Sequence, residues 1–251
     1  MRLHLILLAM SIIALGVIPG VSENANLSAL PNSDKISSCE TVQNSLQNTI
    51  NAGGTIRLKE GIYRQTVNID RSVNIIGAGP GKTFVDGDKK GSVFSIGKTK
   101  PDIDVRLAGM TIMGGSSSDG GGINNSGRLT VENSTITGNT AEFGGGISNF
   151  GAAAELRANN VSIIGNSVIY DGAGIYNNLG VLIVNSGTIT ENSAEVGAGV
   201  FNNHGTVVVN GGTIMKNTAT KRCGGILNNG AMDLRGGSIF DNTLGNVYTP
   251  S

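Results

Sequence analysis

Five segments of this chain share one pattern, Gly-x-apolar-x-apolar-x4-Ile-x2-Asn, and that repetition limits the possible folds more than any other feature. One copy is Gly127, Leu129, Val131, Ile136 and Asn139. Three more are Gly180, Leu182, Val184, Ile189, Asn192; Gly205, Val207, Val209, Ile214, Asn217; and Gly230, Met232, Leu234, Ile239, Asn242. The remaining copy keeps Leu156, Ala158, Ile163 and Asn166 at the same mutual spacing, with Gly151 displaced by a three-residue insertion. Ahead of each copy stands a Gly-rich run and then apolar-x-Asn: Ile123-Asn124-Asn125, Ile147-Ser148-Asn149, Ile175-Tyr176-Asn177, Val200-Phe201-Asn202 and Ile226-Leu227-Asn228. These anchors lie 24, 28, 25 and 26 residues apart. Each period therefore holds three short strands with period-two alternation, separated by Gly and Asn turns. A unit of this size cannot bury its inner face alone and must stack on its neighbours.

Stacked in register, such units form an all-β fold, a parallel β-helix with three short strands per coil. Equivalent residues then recur about every 4.8 Å along the axis. Aliphatic side chains pile into an inner column. Asn139, Asn166, Asn192, Asn217 and Asn242 form a structural ladder whose amides bond one another. Glycine is expected to supply positive φ at the corners. Composition agrees, since 39 Gly and 28 Asn make up roughly a quarter of the 251 residues. A formal net charge of zero argues against a nucleic-acid partner.

The N-terminal third reads differently. Met1 and Arg2 precede an apolar run from Leu5 to Ile18, and small residues follow, which is the layout of a secretory signal peptide over 1–22. The run is shorter than the roughly 18 to 20 residues a membrane span needs, so no span is expected after cleavage, and the protein is expected outside the cell or on its surface. Residues 23–38 are polar and read as a flexible linker. Val42, Leu46 and Ile50 have helical spacing across roughly Glu40 to Ala52. A helix there would cap the open end of the stack. Short strands follow from Thr55 to Met113, so 39–122 reads as cap and irregular coils and 123–251 as regular repeats. After Asn242 no cap is evident, and the last coil is expected to pack on its own tail or on a partner, self-association included. Cys39 and Cys223 lie too far apart along such a stack for a disulfide. Sequons at Asn26, Asn124, Asn133 and Asn160 are expected by chance in so Asn-rich a chain.

The stretch Val42 to Asp86, with Glu60-Gly61-Ile62-Tyr63 and Ile75-Ile76-Gly77-Ala78-Gly79-Pro80-Gly81, resembles the opening of right-handed parallel β-helix proteins of the pectin-lyase-like superfamily. Later units, such as Ile136-Thr137-Gly138-Asn139 running to Gly144-Gly145-Gly146-Ile147, are similar to repeats of prokaryotic surface proteins, methanogen-type among them, and of chlamydial polymorphic outer-membrane proteins. The resemblance spans about residues 40–250. It implies a right-handed coil and is weak for function.

Motifs that would carry chemistry are incomplete. Gly77 to Thr83 lacks the first glycine of a phosphate loop and is followed by a strand pattern. Asp86 to Gly91 begins like a calcium loop but has Lys90 at the fifth ligand position and Gly97 at the twelfth. The two histidines, His4 and His204, exclude a His-based triad or zinc site. Carbohydrate enzymes of the resembled superfamily use clustered Asp with Ca²⁺ or a catalytic Arg, or paired carboxylates. Here the acidic residues are scattered, and only Asp102 and Asp104 share one strand face. No catalytic, cofactor or metal residues are therefore assigned. The preference for a scaffold without catalysis would be reversed by three or more carboxylates clustered with an arginine in one groove of the folded chain.

A binding surface is better motivated. In apolar-x-Asn the middle residue points outward, so Tyr176, Phe201 and Leu227 are expected in one exposed column. Val181, Ile183 and Val208 are expected outward on the next strand. Such a patch suits a glycan or protein ligand. Two functions follow as expectations. One is a secreted or cell-surface scaffold for adhesion to an extracellular polysaccharide or envelope component. The other is a polysaccharide lyase or glycoside hydrolase acting on uronic-acid polymers, the lyase with Ca²⁺.

Overall fold

The computed structural model describes residues 35–37 and 45–250. The signal-peptide reading, most of the linker, Cys39 and Val42 lie outside the described residues. One part of the presumed linker is inside them. Lys35–Ser37 is a strand, paired in parallel with Ile56–Leu58, so the stack begins earlier than the composition suggested.

Helix α1, Ser45–Ala52, follows. It buries Leu46 and Ile50 in the common core and lies against the strands Gly54–Leu58 and Val67–Ile69. The spacing of those two side chains puts them on one helix face, and this face closes the end of the solenoid. Among the described residues no helix is long and apolar enough to cross a membrane.

From Gly54 onward the chain winds as a parallel β-helix with three sheets. The first sheet has 15 strands in two parallel runs, the second has five and the third eight. One coil shows the order. Ile147–Phe150 lies in the third sheet, Glu155–Ile164 crosses both runs of the first, and Ser167–Asp171 lies in the second. Ile175–Asn178 then re-enters the third sheet and pairs with Ile147–Phe150. The second sheet starts only at Ser116, which is why the earlier coils looked irregular in sequence.

Register turns the repeat into columns. Ile123, Ile147, Ile175, Val200 and Ile226 pair successively in the third sheet. Ile112, Ile136, Ile163, Ile189 and Ile214 do so in the second run of the first. All are buried in one continuous cluster that runs from Leu46 to Ile226. Each such aliphatic side chain contributes about 2 kcal/mol by leaving water.

The Asn column closes the corner between the first and second sheets. Nδ2 of Asn139, Asn166, Asn192 and Asn217 donates to Oδ1 of the next asparagine at 3.0, 3.1, 2.9 and 2.9 Å. A second ladder of Asn125, Asn149, Asn177, Asn202 and Asn228 closes the corner between the third and first sheets, at 2.6–2.8 Å. Both columns are buried apart from Asn242 at the open end. Glycine has two roles at the corners of a coil, and only one is the positive φ expected. Gly174 has an ordinary φ, but a Cβ there would lie 2.4 Å from the Gly199 carbonyl and 2.8 Å from Ile189. Gly138 does adopt φ 63°, yet Glu191, Lys216 and Asp241 hold the same left-handed turn with side chains.

Candidate functional site

Tyr176, Phe201 and Leu227 do stack in register on the outer side of the third sheet, between Ser148 and Tyr248. They are not exposed, which corrects the expectation. Tyr176 and Phe201 are each 8% accessible and Leu227 2%. The cause is the glycine corner between the second and third sheets, which folds the ends of the second-sheet strands over this column. Phe143, Val196 and Cys223 pack against it. Tyr176 and Phe201 stack at 5.6 Å, and Phe143 tilts onto Tyr176 at 5.3 Å. The column is a second small core.

Val181, Ile183 and Val208 point outward as expected and are half-buried. They belong to the first sheet, however, so the structure does not bring them into one patch with the aromatic column.

The rim of that column carries one unusual group. In the strand Ser167–Asp171, Ala141 pairs with Val168 and Phe143 with Asp171, so this strand holds one extra residue. The bulge exposes Ile169 and Tyr170 and leaves Asp171 beside the aromatic cluster. Burial, and then the Glu195 carboxylate, push the Asp171 carboxyl above its ordinary range, against the opposing Lys221.

A larger concave site lies on the outer face of the first sheet and was not foreseen. It is a groove of about 430 Å³ lined by Ser72, Asn74, Asp104, Arg106, Arg128, Thr130, Glu155 and Arg157, among others. Register builds it. Asp104, Arg128 and Glu155 are partners in one axial column, and Asn74, Arg106, Thr130 and Arg157 in the next. Arg128 forks onto Asp104 at 2.7 and 3.0 Å and reaches Asp102 at 2.7 Å. Arg106 holds Glu132 through Nε and Nη2 and donates to Asn74 at 3.0 Å. Arg157 Nε meets Glu155 at 2.5 Å. Beyond Glu132, Asn159, Asn185 and Asn210 continue as an outer amide ladder.

Four carboxylates and three arginines thus share one face, a count that would suit an enzyme. Three of them are shifted in directions that do not favour proton transfer. Hydrogen bonds from Arg128 hold the Asp104 carboxyl below its ordinary range, and Arg106 does the same to Glu132. Asp104, and then Asp102, raise the already high Arg128 further. A general acid needs a carboxyl shifted upward and an arginine base needs a lowered pKa; the shifts of Asp104, Glu132 and Arg128 run the other way. The arrangement instead supplies fixed acceptors and donors.

The two incomplete motifs are turns. Thr83 Oγ1 accepts from the Ala78 amide at 2.9 Å and donates to the Lys59 carbonyl at 3.0 Å, and the strand Thr83–Asp86 follows. Asp86 Oδ1 accepts from the Asp88 amide at 3.0 Å, while Lys90 pairs with Asp88. Among the described residues no cluster of three His, Cys, Asp or Glu side chains is placed to hold a metal.

Comparison with known proteins adds nothing to this geometry. No family model, curated protein or solved structure matches the chain.

Proposed function

We propose that this protein is a secreted or cell-surface β-helix scaffold that binds glycan through the outer face of its first sheet, without catalysis. The observation that carries this reading is the charged groove. Asp104 and Glu132 are kept ionised by their arginines and Arg128 is kept charged by its aspartates, so they serve as acceptors and donors for hydroxyl groups. Arg157 makes one ion pair through Nε, leaving its terminal N–H groups to face a ligand. Axial repetition at about 4.8 Å suits an extended, repetitive chain such as a polysaccharide. Secretion rests on the apolar N-terminal run, and the surface setting on the resemblance of the repeats to those of prokaryotic surface proteins.

The test is a glycan array probed with the wild-type chain, Arg157→Ala and Arg128→Ala. Binding to at least one glycan class, weakened about tenfold by Arg157→Ala, is expected. No binding to any glycan defeats the proposal. The same four carboxylates and three arginines, together with the resemblance to pectin-lyase-like proteins, support a second reading as a polysaccharide lyase or hydrolase. Unsaturated or shortened products from uronic-acid polymers, with and without Ca²⁺, would establish that reading in place of the first.

A further inference from the structure

The outer amide ladder beside the groove ends on an unusual pair of residues. Nδ2 of Asn185 donates to Asn159 Oδ1, and Nδ2 of Asn210 donates to Asn185 Oδ1, both at 2.7 Å. The residue after each ladder position turns the corner between the two runs of the first sheet. It is Asn160 after Asn159, Ser186 after Asn185 and Gly211 after Asn210. The coils approach closely at this last corner. A Cβ on Gly211 would lie 2.8 Å from the Asn185 carbonyl oxygen, and one on Gly212 would lie 2.8 Å from that of Gly187. The ladder selects asparagine and the corner selects glycine, and at 210 and 211 the two selections fall on adjacent residues.

An asparagine followed by glycine is chemically labile. With no Cβ on the second residue and a permissive backbone, the following main-chain nitrogen reaches the side-chain amide carbon unhindered. The sequence holds one other such pair, Asn229-Gly230. There the Gly230 N–H donates to Asn228 Oδ1 at 3.2 Å, which ties up the attacking nitrogen. The Gly211 N–H has no hydrogen-bond partner among the described residues, and Asn210 is exposed. The ladder bond to Asn185 is the one hydrogen bond that holds the Asn210 side chain.

We propose that Asn210 is a site of spontaneous modification, converting to aspartate and isoaspartate as the folded protein ages. The Gly211 nitrogen, having lost its proton, bonds to Asn210 Cγ. The bond from Cγ to Nδ2 breaks, Nδ2 leaves with that proton as ammonia, and a five-membered succinimide remains. Water then opens the ring at one of its two carbonyl carbons. Opening at Cγ gives aspartate on an unchanged main chain. Opening at the main-chain carbonyl gives isoaspartate, whose peptide bond runs through the side chain and adds one methylene to the main chain. Overall one water is consumed and one ammonia released, with no change of oxidation state. Either product puts a carboxylate at 210, which has no donor for Asn185 Oδ1. The outer ladder loses its last member, and the outer face of the first sheet gains a negative charge. Isoaspartate also lengthens the chain where Gly211 and Gly212 leave no slack.

Peptide mass spectrometry of the full chain, aged for several weeks at about pH 8 and about 37 °C, tests this. A gain of about one dalton is expected at Asn210 at least tenfold faster than at Asn229, with isoaspartate and aspartate peptides separating by chromatography. The same ageing in about 6 M guanidinium chloride is expected to bring the two rates within about twofold, because unfolding removes the Gly230 hydrogen bond. No conversion at Asn210 in the folded chain would overturn the proposal, as would a rate at Asn229 equal to or above it. A tenfold preference that persists in the unfolded chain would also overturn it, since the folded geometry would then not be the cause.

Discussion

Asn192 shows why one residue type recurs at the first-to-second sheet corner. Its Nδ2 donates to the Ile163 carbonyl at 3.0 Å and to Asn217 Oδ1 at 2.9 Å. Its Oδ1 accepts from both the backbone N–H and the Nδ2 of Asn166, at 3.0 and 3.1 Å. Two donors and two acceptor positions exhaust the capacity of a primary amide. Aspartate has no donor for Ile163, and glutamine is one methylene too long. Asn192→Ala would leave a buried carbonyl, a buried N–H and two amide side chains short of partners, and should cost about 3 kcal/mol by urea unfolding. Asn192→Asp should cost more above pH 5 than below it, because only a protonated carboxyl can donate. The residue before each ladder asparagine is left-handed, and Lys216 holds this conformation at φ 54° while exposed. Lys216→Gly should therefore raise stability by about 1 kcal/mol, whereas Thr218→Gly, in an extended strand, should lower it.

Among the elements, the bulged strand Ser167–Asp171 departs from the repeat in its local chemistry, and Thr218–Arg222 carries a second bulge, with Ala194 paired to Ala219 and Val196 to Arg222. The extra residue of Ser167–Asp171 turns Tyr170 out to solvent, 5.3 Å from Phe143, and places Asp171 where burial and Glu195 disfavour its charge. A carboxyl raised on folding binds its proton more tightly in the native state than in the unfolded one. Stability is then greatest below the ordinary carboxylate range and declines as pH rises through the raised value. Asp171→Asn should increase the melting temperature at pH 7, and the gain should shrink toward zero as the pH falls to about 3. A gain independent of pH would assign the effect to packing instead. Asp104 and Glu132 have the opposite sign, since their arginine partners lower them. The stabilisation they provide is lost as the pH falls below the ordinary carboxylate range.

The same strand marks where sequence ceased to inform. Coil length, the inner aliphatic columns and the ladder positions were legible because each is periodic. The outward direction of Tyr176 was legible too, from alternation alone. Its burial was not, because that depends on Phe143 and Val196 being folded over it at a glycine corner between coils. The groove was hidden for a related reason. Arg128 and its partners Asp102 and Asp104 are 26 and 24 residues apart in sequence, and they looked scattered until register stacked them. Aligning Val105, Leu129 and Leu156 as equivalents would have placed Asp104, Arg128 and Glu155 in one column. The bulge itself has one trace in sequence: Ile175 follows Asn166 by nine positions, where Ile147 follows Asn139 by eight.

At the scale of the molecule, each coil touches only the coils above and below it, so the chain should tolerate loss of a whole coil better than a deletion that slips the register within a strand. Val181 pairs with Thr206, which makes residues 181–205 one complete period of 25. Deleting them joins Gly180 to Thr206 and sets Thr206–Val209 against Glu155–Ala158, where Val181–Val184 had been. Asn166 then meets Asn217, and Asn177 meets Asn228, so both ladders close again. A deletion of 24 residues, 183–206, joins Leu182 directly to Val207, two residues that both point inward. That slip turns one side of the strand outward and takes the second ladder out of register. The 25-residue deletion is expected to melt cooperatively with a β-rich spectrum and a midpoint modestly below wild type, as nearest-neighbour stacking requires. The 24-residue deletion is expected to be insoluble or to melt without cooperativity. Equal behaviour of the two would mean that the corners, not the ladders, set the register.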